Sequence, residues 1–410
     1  MRSLVDGDPR LVTWRHVREF AVPPSMIEAA TARRLAGDWA GACVAARVDP
    51  ELNPRAIGRR HGREQAAEIR ADLHHLAPDL LRWHLPRVAT GRLRPGLTVS
   101  LARYTPRLHL VARTAPDWAD ADQRITLALW DGGLGGVHPH PRPNRRFRLD
   151  LHRHLWDARH AAELRERAGA ETWPVDPDGF AVHRWRAEAD LLRHAEGRAE
   201  EPVFVRVSSR EYRPLRTEGV RDRESLVLPD AATRVPPDLE LLRAGLIEPG
   251  QLHPLVADAL APGHPSVTRG PSAAVPRVVD CRGEQHRIGL VDGVLSPLDH
   301  DPGELRREEI LVAFGGTPLP CLQMIDRALR RPESLADIRA RLDHGDLPGA
   351  LAAVEHLLGP DAVLRDGPLR DELARTEQRH LTYGLYRAGL TGHCPPKNVP
   401  LPRRRPKVTK

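Results

Sequence analysis

Apolar positions along the chain follow two periods. Met26 to Ala36 and Ala40 to Arg47 carry helical spacing on either side of a Gly37-Asp38 turn, and Gly62 to Leu76 places Ala66, Ile69, Leu73 and Leu76 on one helical face. Asp79 to Leu85 reads as a short helix stopped by Pro86. Near residue 97 the period falls to two. Leu97, Val99 and Leu101 alternate with Thr98, Ser100 and Ala102, followed by Leu108 with Leu110 and by Ile125, Leu127 and Leu129. This pattern predicts three strands of an antiparallel sheet with one face buried.

A loop rich in glycine and proline, 131–146, interrupts both periods. Beyond it the pattern predicts a strand over 147–151, helices over 157–168 and 184–194, a strand over 202–207, and short helices over 238–244 and 252–260. Residues 261–276, rich in Pro, Gly, Ser and Ala, have the composition of a linker. A hairpin of 277–281 and 286–291 follows, with a tight-turn signal at Asp292-Gly293. Asp301, Pro302 and Glu304 spell a helix start, and several short helices run on to about 388.

The expectation is therefore an α+β chain. Helical hairpins and a small antiparallel sheet occupy 1–260. A linker covers 261–276, a β-hairpin with a helical C-terminal part covers 277–390, and a disordered basic tail covers 391–410. All eight tryptophans fall between Trp14 and Trp185, which fits two parts with different core chemistry.

One segment occurs twice. Ala32-Arg33 and Gly37-Asp38-Trp39-Ala40-Gly41-Ala42 are echoed by Ala340-Arg341 and Gly345-Asp346-Leu347-Pro348-Gly349-Ala350. Each reads as a helix, a Gly-Asp turn and a second helix. Each resembles a single helical hairpin of the tetratricopeptide kind, although two copies do not make an array. A generic helix stop and N-cap accounts for the same residues.

Composition adds limits. Hydrophobic residues make up 40% and charged residues 29% of the 410. No apolar run approaches the roughly 20 residues of a membrane span. Met1 to Arg10 lacks the apolar region of an export leader, so a cytoplasmic setting and no membrane partner are expected. Cys43, Cys281, Cys321 and Cys394 stand apart with no C-x-x-C pair, which predicts isolated reduced thiols rather than a disulfide framework or a zinc ribbon. Cys281 and His286 flank the hairpin turn and Cys394 adjoins His393, but neither pair has a companion at zinc-site spacing.

The charge is +7, from 62 basic and 55 acidic residues. Lys397, Arg403, Arg404, Arg405, Lys407 and Lys410 form the tail's basic set with no acid among them, which leaves 56 against 55 for the rest of the chain. That tail is the candidate nucleic-acid contact. It has no aromatic side chain to stack on bases. The three lysines all lie in it, so every earlier cation that is permanently charged is an arginine.

Candidate chemistry centres on Asp150-Leu151-His152-Arg153-His154. Strand alternation would set Asp150, His152 and His154 on one face, where two imidazoles and a carboxylate can ligate zinc or manganese. This D-x-H-x-H run resembles the first metal motif of amidohydrolases and of PHP-type phosphoesterases. The resemblance covers five residues and implies a divalent metal that activates water. The chain departs from amidohydrolases with two metals in having no lysine before Lys397. His138-Pro139-His140-Pro141 is a stiff extended segment that could join such a site. Phosphate-cradling G-x-x-x-x-G-K and G-x-G-x-x-G loops are absent, as is a G-x-S-x-G elbow. With no complete catalytic set, the leading expectation is an interaction protein that binds a protein partner through helical hairpins. A hydrolase at Asp150, His152 and His154, and a nucleic-acid role for the tail, are the alternatives.

Overall fold

The computed structural model describes residues 8–120, 123–133, 136–170, 176, 178–215, 221–222, 224–263, 277–281, 283–291, 294–314, 316–323, 333–358 and 368–390. The proposed linker, apart from 261–263, and the basic tail lie outside them, as does the Asp292-Gly293 turn.

The period-two segment forms strands β2 (Thr98–Thr105), β3 (Leu108–Thr114) and β4 (Ile125–Trp130), paired antiparallel as expected. A short strand, β1 (Val48–Glu51), adds to β4 in parallel, so this sheet is mixed with the order β1-β4-β3-β2. Four residues containing Pro50 carry too little alternation to announce a strand, and an edge position is where proline is tolerated. Two further three-stranded sheets follow. One is mixed, β6-β5-β7, from β5 (Val203–Arg206), β6 (Tyr212–Pro214) and β7 (Leu226–Val227). The other is antiparallel, β10-β9-β8, from β8 (Arg277–Cys281), β9 (Glu284–Val291) and β10 (Val294–Pro297). Among the described residues there are thus three small sheets: the expected small antiparallel sheet is mixed through β1, the strand expected over 202–207 sits in a second mixed sheet, and the expected 277–291 hairpin gains a third strand.

Helices close over the first sheet. Val99, Leu101, Leu110, Ile125 and Leu127 are buried with Ile69, Leu73, Leu80 and Leu81 from the helices Arg63–His75 and Pro78–His84. Charged groups are buried with them. Arg18 on α1 (Pro9–Phe20) and Asp238 on the helix Pro237–Arg243 pair at 2.6 and 2.8 Å, and Trp83 donates its indole N–H to Asp238 at 3.1 Å. Fully buried Arg82 donates to the carbonyls of Ala21, Gln123 and His344 at 3.0, 2.6 and 3.2 Å. A guanidinium has five donors, so it can satisfy carbonyls that close packing cuts off from water.

That last contact reaches the C-terminal helices. Tyr383 on the helix Pro368–Arg387 donates to Asp49 of β1 at 2.7 Å, and Tyr386 meets Trp118 edge to face at 5.5 Å. The repeated segment has one geometry in both places. Gly37 and Gly345 have φ of +80° and +78°, the left-handed region that favours glycine. Asp38 and Asp346 accept from the backbone N–H of Gly41 and Gly349. Arg33 and Arg341 pair with them at 3.0 and 2.8 Å.

Candidate metal centre

The β8–β9 hairpin turns one face inward. Its register pairs Val279 with His286 and Arg277 with Ile288. Side chains two apart share a face of a strand, so Val279 and Cys281 of β8 lie on the face of His286 and Ile288 of β9. Val279, Cys281 and Ile288 are buried against Leu319 and Cys321. Leu319 accepts from the backbone N–H of Gln323, which starts the helical turn that carries Cys321.

His300 arrives from another direction. It follows β10 and sits just before Asp301, whose carboxylate caps the helix Pro302–Ala313 by accepting from the N–H groups of Gly303 and Glu304, as the sequence predicted. A brace holds this turn to β9. Asp299 accepts from the backbone N–H of Arg287 at 2.6 Å and from its guanidinium at 2.7 Å. Arg287 follows His286 and Asp299 precedes His300, so the brace sets both imidazoles.

Among the described residues Cys281, His286, His300 and Cys321 are the group that brings three or more potential ligands together. One donor atom from each lies within 4.8 Å of all the others. His286 Nδ1 is 2.8 Å from His300 Nε2 and 4.0 Å from Cys321 Sγ. Both cysteines are free and buried. Burial and then the neighbouring Cys281 sulfur push the Cys321 thiol up to about 11. A cation between the sulfurs would reverse that preference, because the thiolate is the ligand form.

The outward nitrogens make the set more specific. His286 Nε2 lies 3.4 Å from Glu284, and His300 Nδ1 lies 3.3 Å from Glu304. Glu304 accepts from His300 Nδ1, which leaves the inner Nε2 of that ring with its lone pair toward His286, while exposed Glu284 stands near the outer nitrogen of His286. A cation between the two rings would take that inner lone pair. A carboxylate behind a histidine is the usual support of a metal ligand. Two thiols and two imidazoles suit zinc, with four protein ligands and no open position. Tetrahedral zinc would part the two nitrogens to roughly 3.3 Å, about half an ångström beyond their present separation.

Cys281 and Cys321 are free thiols as expected, but the fold brings them together, so they are not isolated. Strand alternation could have grouped Cys281 with His286. Nothing local joins His300 or Cys321 to them, because His286 and Cys321 are 35 residues apart and meet only through the fold.

The other proposed ligands are placed differently. Residues 147–151 are not a strand; 3₁₀ turns cover Leu149–Leu151 and Arg153–Leu155, so the alternation argument does not apply. Asp150 accepts from the Arg148 guanidinium at 2.8 to 3.1 Å. His152 Nδ1 bonds the Arg148 carbonyl at 2.9 Å, and its Nε2 lies 3.3 Å from Glu188. His154 is buried, its Nδ1 has no partner, and burial followed by His152 holds its imidazole well below the ordinary value. His138 uses Nε2 on the Thr114 carbonyl and Nδ1 on the His140 N–H. Lys397, Arg403, Arg404, Arg405, Lys407 and Lys410 lie outside the described residues.

No helix among the described residues is long and apolar enough to cross a membrane. Comparison of the chain with protein-family models, with curated proteins and with solved structures gives no match.

Proposed function

We propose that this chain is a zinc-stabilised interaction protein. Cys281, His286, His300 and Cys321 bind one structural zinc ion that fastens the β8–β9 hairpin to the segments on either side of the helix Pro302–Ala313. The observation that carries this reading is the convergence of the four donors within 4.8 Å, with Glu284 and Glu304 behind the two imidazoles. The apolar cluster around this hairpin is small, and a small core gains most from a metal staple. Four protein ligands leave no site for water, which favours a structural over a hydrolytic role. Cobalt titration of metal-free protein tests it. Thiolate-to-cobalt charge transfer with a tetrahedral visible band is expected, and C281S and C321S should each abolish the band. An octahedral spectrum would contradict this ligand set.

The helical hairpins remain the proposed surface for a protein partner. Leu35 and Val44 on the first, at 76% and 61% exposure, give that reading its support. L35E/V44E should release a co-purifying partner without lowering the thermal midpoint. The basic tail is proposed as a separate contact for nucleic acid, resting on its six cations. Its deletion should flatten the salt dependence of binding.

A further inference from the structure

A second site lies away from the metal centre, where the mixed sheet β6-β5-β7 meets the segment 144–148. A cleft of about 360 Å³ opens there, with Arg145, Arg146, Arg148, Arg198, Arg206 and Arg221 in its wall. Three carboxylates share that wall, from Glu196, Glu224 and Asp230. Those acids do not neutralise it. Asp230 serves both Arg146, at 2.6 Å, and Arg206, at 3.5 Å. Glu196 serves Arg148, at 2.6 Å, and also Arg103, which approaches from β2 at 2.9 Å.

Five of the six cations are held in place, and Arg145 is exposed. Arg148 is mostly buried and bound to Asp150 as well as Glu196. Arg198 pairs with Glu201 and donates to the Glu224 carbonyl at 2.9 Å. The Arg221 guanidinium carbon lies over the Tyr212 ring, 3.6 Å from its centroid. The Nε of Arg206 is buried without a partner. Arg94 lies behind this wall, and burial followed by the neighbouring Arg146 holds its guanidinium below the ordinary value. Guanidinium groups facing one concavity form a site for an oxyanion, because each offers paired donors matched to two oxygens of a carboxylate or phosphate.

We propose that this cleft binds a phosphate monoester that carries hydroxyl groups, of the size of a sugar phosphate or mononucleotide. Arg145 and Arg221, which have no carboxylate partner among the described residues, take the dianion. Glu196 and Glu224 supply acceptors for hydroxyls beside it. The concave form and volume suit a small ligand better than a duplex, which would need cations along an open ridge. Tyr212 and Arg221 line the cleft together and supply the aromatic ring and the cation beside which a base would lie.

Calorimetry on the full chain at low salt tests the site, with inorganic phosphate, ribose 5-phosphate, AMP and adenosine as probes. Both esters should bind more tightly than inorganic phosphate, and adenosine should not bind. AMP tighter than ribose 5-phosphate would assign a nucleotide, and equal affinities a sugar phosphate. R145Q/R221Q removes two cations that have no carboxylate partner among the described residues, so the fold should stand, with an unchanged thermal midpoint. It should weaken the better ester by about tenfold or more. The basic tail is intact in this variant, so unchanged affinity would place the binding elsewhere and overturn the proposal. Absence of binding by either ester at millimolar concentration would overturn it as well.

Discussion

Arg47 donates to Asp346 at 2.8 Å, joining the end of the first helical hairpin to the turn of the second. Arg47 itself holds a φ of +57°, unusual for a residue with a side chain. Asp346 already caps its own helix and receives Arg341, so three interactions converge on one buried carboxylate. Asp38 has the same cap and the same arginine five residues back, but it is exposed and makes no such cross-contact among the described residues.

The twin aspartates therefore permit a controlled comparison. D346A should cost about 2 kcal/mol, from the lost cap and from two guanidinium groups left with one partner fewer. D38A should cost distinctly less. Urea unfolding of both variants measures the difference. Equal losses would mean that the Arg47–Asp346 contact contributes nothing to holding the two parts together.

Much of the secondary structure was legible because it rests on local signals. The alternation at 97–129 marked β2, β3 and β4, and the Asp301-Pro302-Glu304 start marked its helix to the residue. The echo of Gly37-Asp38 in Gly345-Asp346 reflected a shared turn. Other features had no local signature. β1 is four residues long and forms only because β4 offers it an edge. Phe147 to Leu151 looked like a strand, but Leu149 is drawn into the core through 3₁₀ turns, and the Trp156 indole bonds its carbonyl. The candidate metal centre is half visible in Cys281 and His286. No sequence signal sets His300 apart, and Cys321 reads as a lone thiol. Their role depends on tertiary placement that no spacing rule encodes.

Thiol reactivity should separate the cysteines. Burial, followed by the nearby Asp38 and Asp79 charges, pushes the Cys43 thiol up to about 12. At pH 8 it should resist alkylation until the protein unfolds. In a C394S background the native, zinc-loaded protein should show no fast thiol. A chelator should release Cys281 and Cys321, and denaturant should then release Cys43. Mass spectrometry of alkylated peptides reads the order. Rapid labelling of Cys281 before chelation would speak against a bound metal.

Buried neutral histidines give the acid side of the stability profile its sign. Burial is the main cause that lowers His84 and His344 to about 3, and it lowers His154 as well. An unfolded imidazole titrates near 6.5. Below that pH the unfolded chain takes up protons that the folded chain refuses until about 3, so stability is lost as pH falls through this window. Each group contributes a slope of up to about 1.4 kcal/mol per pH unit. H154L removes one such group, whose Nδ1 has no partner. Its stability should fall less steeply than that of wild type between pH 6.5 and 5. Parallel profiles in urea unfolding would show that His154 titrates normally.

Metal content tests the central claim most directly. Elemental analysis of the full chain, purified without chelator, should find about one zinc ion per molecule. The double variant C281S/C321S should carry almost none, and H152A/H154A should retain it. Zinc-free wild type that takes up no metal on titration would contradict the account, and so would zinc that leaves with His152 and His154 while surviving the loss of Cys281 and Cys321.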